Sequence, residues 1–221
     1  MKINIIIYFL FCLFCTAQQN SNKSNDLFFE SILNHQKKFS YDIERAYLKQ
    51  NFDKANKIFK NFIQEQLINK KMNDFRWSRF RSKSKALYDI EMPIYLQTRS
   101  SWCLPSEGEI PTLNKLAKKF KNKIKFVVLF WDKKSRMRSE GRKYSSVIDV
   151  VYINELTYKN DYIIKALKHV LGVPVVYLID EHKKVRLIER PVSTPFHFDR
   201  ETSKEIFEGV ILKQINHLVS D

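Results

Sequence analysis

Apolar positions follow two different rhythms along the chain, and the change comes near residue 86. Between Asp26 and Lys71 they recur at helical spacing. Phe28, Phe29, Ile32 and Leu33 form one stripe, continued by Phe39, and Phe52, Ala55, Ile58, Phe59, Phe62, Ile63 and Leu67 form a longer one. Residues three and four apart share one helix face, so both stripes are packing faces that need a partner surface. They predict a helical N-terminal extension, residues 18–85, lying against a larger domain.

From Ala86 onward, short apolar runs alternate with amphipathic segments. Met92 to Gln97, Ile124 to Trp131, Val147 to Ile153, Val175 to Ile179 and Val185 to Glu189 read as strands. Ile124 to Trp131 is continuously apolar, as a central strand covered on both faces requires. Pro111 to Lys121 reads as a helix with Leu113, Leu116, Ala117 and Phe120 on one face. Asp161 to Leu171 and Glu201 to Val219 read as helices too, while Ser135 to Lys143 is basic, weakly patterned, and fits a helix or a loop. Glu181 to Lys183 makes the turn of a hairpin. The order predicts an α/β domain over residues 86–221: a central mixed sheet with helices on both faces and one antiparallel hairpin at its edge.

Charge adds a question about partners. Lys and Arg number 39 against 24 Asp and Glu, a formal net charge of +15. Such a surface attracts anions, although spread over solvated helix faces it needs no dedicated polyanion site. Asp74 to Lys85 interleaves basic residues with Phe75, Trp77 and Phe80. That composition suits single-stranded nucleic acid or a membrane surface. The preferred reading is a basic connector with inward-packed aromatics. Nucleic acid is not an expected partner, and peripheral contact with an anionic membrane surface stays open.

The first 17 residues read as a targeting segment. Lys2 supplies the positive end, Ile5 to Cys15 the apolar run, and Cys15-Thr16-Ala17 a small-residue cleavage site before Gln18. The expectation is a signal peptide over residues 1–17 and a mature chain exported to a periplasmic or extracellular space. Lipidation is the rival reading, but Phe11 and Phe14 precede Cys12 and Cys15 where a lipobox wants a small residue. No later run of 18 apolar residues follows.

This cleavage decides the cysteine arithmetic. Cys12 and Cys15 have C-x-x-C spacing but leave with the signal, so the mature chain carries Cys103 alone and cannot close an internal disulfide. Trp102-Cys103-Leu104-Pro105-Ser106 stands where a strand gives way to a helix. A cysteine at a helix N-terminus faces unpaired N–H groups and the positive end of the dipole, which stabilise the thiolate nucleophile. Glu109 follows six residues later, then Pro111. Gly172-Val173-Pro174 precedes the strand Val175 to Ile179, where a proline suits a cis turn. The five histidines show no paired ligand spacing and no glycine-rich phosphate loop occurs, so neither a metal nor a cofactor is expected.

Taken together, W-C-L-P-S-E-G-E-I-P at Trp102 to Pro111 and G-V-P-V-V-Y-L-I-D at Gly172 to Asp180 resemble the thioredoxin superfamily, most closely exported TlpA-like thiol–disulfide oxidoreductases. The resemblance covers about Asp89 to Pro191 and implies a thioredoxin-like fold. It implies that Cys103 is the attacking cysteine and Glu109 an acid that helps move protons there. Trp102, Val173 and Pro174 would line the substrate site. Ser106 stands where the resolving cysteine belongs, which leaves monothiol exchange resolved by an external thiol. Its hydroxyl would then donate to the thiolate, and Arg99 would lower the Cys103 pKa. Leu104 replaces the usual small residue, Thr98 and Arg99 replace aromatics, and the turn after Asp180 lacks its glycine. Partners would be protein or small-molecule thiols and disulfides. The alternative from another class is a catalytically inactive binding module using the groove near Pro174. A peroxidase would use Ser100, three residues before Cys103, but has Leu96 where it wants proline. A cysteine hydrolase has no histidine placed for it.

Overall fold

The computed structural model describes residues 26–80, 83–195 and 198–219. The expected signal at Met1 to Ala17, with Cys12 and Cys15, lies outside them. Two helices open the described chain, α1 (Phe28–Leu48) and α2 (Phe52–Phe62), the latter running on as a π-helical turn over Ile63–Leu67. Asn51 ends the intervening turn and caps α2 by accepting the Lys54 N–H at 2.9 Å, which satisfies one of the orphan donors of a helix start.

Seven strands form one sheet in the order β2-β1-β5-β4-β3-β6-β7. They are β1 (Arg76–Arg79), β2 (Lys85–Ala86), β3 (Ile94–Arg99), β4 (Lys125–Phe130), β5 (Asp149–Tyr152), β6 (Val175–Ile179) and β7 (Val185–Glu189). β3, β4 and β5 are parallel, and all other pairings are antiparallel. The parallel crossovers carry α3 (Glu109–Lys119) and α4 (Lys134–Gly141). The connection to β6 carries α5 (Asp161–Ile164), continued by a π-helical turn over Lys165–Val170, and α6 (Arg200–Val219) closes the chain. The weakly patterned segment near 135–143 is therefore helical.

Strand alternation sorts the core into two layers. Ile94, Leu96, Val127, Leu129, Val175 and Tyr177 face one way and pack with α1, α2 and the 163–171 region. Tyr95, Phe126, Val128, Phe130, Val176 and Leu178 face the other way, against α3, α4 and α6. The N-terminal helices thus share the cover of this face with the 163–171 region, and Phe28 and Ile32 are fully buried there. Burying a Phe or Ile completely contributes about 1.5–3 kcal/mol each.

The stretch read as a connector is partly strand. β1 pairs with β5, Trp77 and Phe75 are buried, and Arg79 bonds buried Asp149 at 2.5 Å, shared with Lys125 at 3.1 Å. Its aromatics do pack inward, and one of its cations neutralises a buried acid.

Candidate functional site

β3 ends in three polar residues, Gln97, Thr98 and Arg99, all buried. Burial of a charge is tolerated only when it is paired and hydrogen-bonded, and Arg99 meets that condition. Its Nη1 donates to Glu109 Oε1 at 3.1 Å and to the Tyr144 hydroxyl at 2.7 Å, and its Nη2 donates to the Cys103 carbonyl at 2.9 Å. Gln97 Nε2 also donates to Glu109 Oε1 at 2.8 Å, and the Ser106 N–H donates to Oε2 at 3.1 Å. One buried ion pair therefore ties the end of β3, the start of α3 and the loop between them.

Cys103 sits in that loop. Its N–H donates to the Ser100 carbonyl at 2.9 Å, and the Ser100 N–H donates to Cys103 Sγ at 3.5 Å. The sulfur's residue is 8 % exposed, while Trp102 and Leu104 on either side are 67 % and 88 % exposed. A carboxylate just beyond β4 clamps the loop: Asp132 accepts from the Ser101 N–H at 2.6 Å and its hydroxyl at 3.0 Å.

This geometry corrects the expectation for the thiol. α3 begins at Glu109, capped by Gly108 at φ +87°, so Cys103 precedes the helix by six residues. Its helix N–H groups do not reach the sulfur as expected. Burial pushes the Cys103 thiol above its ordinary pKa. The Ser100 N–H and Arg99 pull the other way, and the charges of Asp132 and Glu109 add to the rise. Arg99 does act in the expected direction, but burial outweighs it.

The other expected site residues separate into two groups. Glu109 is buried beneath the loop with its carboxylate spent on Gln97, Arg99 and Ser106, and among the described residues no hydrogen bond joins it to Cys103. Ser106 Oγ accepts the Thr194 N–H at 3.4 Å rather than meeting the sulfur. Trp102 is held out to solvent. Val173-Pro174 is a cis peptide, and the β3–β6 pairing through Thr98↔Val175 brings it to the sheet end from which the Cys103 loop leaves. Asp132, Gln97 and Tyr144 carried no motif. The only sequence cue was polarity at the ends of two strands otherwise apolar. Among the described residues, no three His, Cys, Asp or Glu side chains gather at metal-binding distance, and no helix is long and apolar enough to cross a membrane.

A mixed sheet with parallel β3-β4-β5, an antiparallel β6–β7 hairpin, covering helices and a cis-proline before β6 is a thioredoxin-like fold. Solved structures agree. A candidate protein disulfide isomerase from Bacteroides thetaiotaomicron is 18% identical, with 70% of this chain and 91% of that chain covered at a TM-score of 0.50. A thiol:disulfide interchange protein from Bacteroides sp. is 15% identical, with 67% and 90% covered at a TM-score of 0.50. At such identities the likeness establishes the fold. No family model and no curated protein matches the chain.

Proposed function

We propose that this protein carries out monothiol disulfide exchange through Cys103, after export and removal of residues 1–17. The observation that carries the reading is the placement of Cys103, the one cysteine among the described residues, at the sheet end it shares with the cis Val173–Pro174 bond. The Cys103 thiolate attacks one sulfur of a substrate disulfide and expels the other as a thiolate. An external thiolate then attacks the mixed disulfide and frees Cys103, because Ser106 cannot resolve it. Protein or small-molecule disulfides are the substrates. Trp102, Val173 and Pro174 form the contact surface. Glu109 acts as an anchor of the loop, through Arg99 and the Ser106 N–H. The domain boundaries of this reading are an extension at 18–85 and a thioredoxin-like domain at 86–221, with β1 and β2 reaching back from the first into the sheet of the second.

A second reading, a non-catalytic binding module, draws support from the raised pKa of the buried thiol. Trapping separates the two. Protein mixed with a disulfide-bonded peptide and quenched with acid should accumulate a Cys103-linked mixed disulfide, faster as pH rises, and Cys103→Ala should accumulate none. Free Cys103 at all pH values, in a folded protein, would end the exchange reading and leave the binding module.

A further inference from the structure

The cations of this chain are not evenly spread around the thiol. α4 turns Met137 and Gly141 into the core against β5 and leaves Lys133, Lys134, Arg136, Arg138 and Arg142 exposed. Among the described residues none of these five has an ion-pair partner. Only Lys143, one residue on, is paired, with Glu140 at 2.7 Å. The position of this patch is set by the loop clamp. Asp132, whose carboxylate holds the Ser101 N–H and hydroxyl two residues before Cys103, is followed directly by Lys133 and Lys134.

A second cation set borders the other end of the same loop. An open cavity of about 400 Å³ is lined by Pro105, Ser106, Lys143 and Arg200, with Glu107 as the one acid on its rim. Lys143 is fixed there through its backbone, whose carbonyl accepts from Asn114 Nδ2 on α3 at 3.0 Å. The two buried acids nearest the thiol, Asp132 and Glu109, are already bonded within the protein. What the loop offers an incoming molecule is therefore an exposed apolar pair, Trp102 and Leu104, with the five unpaired cations of the 133–142 segment near one end and Arg200, beside a Lys143 already paired with Glu140, near the other.

We propose that the disulfide taken by Cys103 lies in an acidic polypeptide segment, whose carboxylates are read by α4 and by the Lys143–Arg200 cavity while its apolar residues meet Trp102 and Leu104. This rests on the exchange reading above. Facing charges of opposite sign act chiefly on the rate of encounter and are weakened by salt, so the kinetics of trapping are the natural readout.

The test uses the mature chain and three peptides of one sequence, each closed by one disulfide, with Glu, Ser or Lys flanking the cysteines. Each rate of mixed-disulfide formation at Cys103 is divided by the same peptide's rate with 2-mercaptoethanol, a neutral thiol, to remove intrinsic differences in leaving group. At low ionic strength the normalised rate for the Glu peptide should exceed that for the Lys peptide about ten-fold or more. The difference should collapse in about 1 M salt, where the screening length is only about 3 Å. Lys134→Glu combined with Arg136→Glu, at exposed positions of α4, should reverse the order. The salt series needs no variant, so a misfolded double mutant leaves the test intact. Equal, measurable normalised rates for the three peptides overturn this proposal and leave exchange standing. No trapping of any peptide overturns both. Equal rates together with charge-dependent sedimentation on phosphatidylglycerol vesicles would assign the patch to an anionic membrane surface instead, and that also overturns it.

Discussion

Arg99→Gln tests the buried network most directly. The native guanidinium is 3 % exposed and Glu109 is 10 % exposed, at 3.1 Å. Replacing Arg99 leaves the buried Glu109 carboxylate with only the neutral donors Gln97 Nε2 and the Ser106 N–H, and strips donors from the Tyr144 hydroxyl and the Cys103 carbonyl. A hydrogen bond to a charged group contributes about 1.5–3 kcal/mol, and breaking a buried pair from one side costs about 3–5 kcal/mol. Those two estimates overlap once the three Arg99 bonds are treated as non-additive, so the expected loss is about 3–5 kcal/mol. Urea unfolding should report it as a lower midpoint at unchanged slope. The double variant Arg99→Met, Glu109→Leu should lose much less than the two single losses added, since it leaves neither charge stranded. The thiol supplies an independent readout: the Arg99 charge pulls the Cys103 pKa down, so its removal should move the alkylation midpoint further up. A single-variant loss under about 1 kcal/mol, or strictly additive losses in the cycle, would refute the claim that this pair organises the loop.

Four more outcomes are expected. Wild-type Cys103 should alkylate with a midpoint above that of free cysteine, because burial outweighs the Ser100 N–H and Arg99; a midpoint below it contradicts the description of the loop. Burial raises the phenol pKa values of Tyr95, Tyr144 and Tyr177. Their folded values lie above the unfolded value of about 10, so their contribution is complete below that pH and is lost as pH rises beyond it. Urea midpoints that stay flat from about pH 9 to about pH 11 would count against this. Gly108→Ala forces a Cβ to 2.9 Å from the Lys204 backbone nitrogen at φ +87° and should cost about 1–3 kcal/mol in thermal or urea unfolding, with wild-type stability as the refuting result. Ser100→Ala removes a buried hydroxyl that has no partner among the described residues and should leave stability unchanged or raise it, as the unfolding midpoint will show.

The sheet and its two covers were legible because periodicity reports burial. The apolar runs at Ile124 to Trp131 and Val175 to Ile179 mark strands covered on both faces, and the helical stripes at Phe28 and Phe59 mark the covering helices. β1 escaped notice because Arg76 and Arg79 made a four-residue edge strand look like a solvated basic run, although exposed Arg76 followed by buried Trp77 is strand alternation. The helix start was misplaced for a different reason. Trp102 to Ser106 reads as standing at the helix start, while Pro105 and Gly108 are local signs that the loop continues. Pro111 then falls in the first turn, where its missing N–H is harmless. Only the polarity at the end of β3 hinted at the Arg99 network, and its Tyr144 partner had no local signal, since it comes from 45 residues away in the chain.

The short link between the helical extension and β1 has a consequence beyond joining them. The Asn69 N–H donates to the Val185 carbonyl, the Val185 N–H to the Lys70 carbonyl, and the Met72 N–H to the Lys183 carbonyl, while Arg186 reaches Asn69 Oδ1 at 2.7 Å. These bonds occupy the outward backbone groups at the start of β7, the terminal strand of the sheet. An uncovered strand of that kind is a template on which another chain can add itself. The link out of the extension therefore covers the start of this edge, as the helices before it cover the core. A chain cut after Met72 loses both at once, and its failure would show as fibrous or amorphous aggregate seeded along β7.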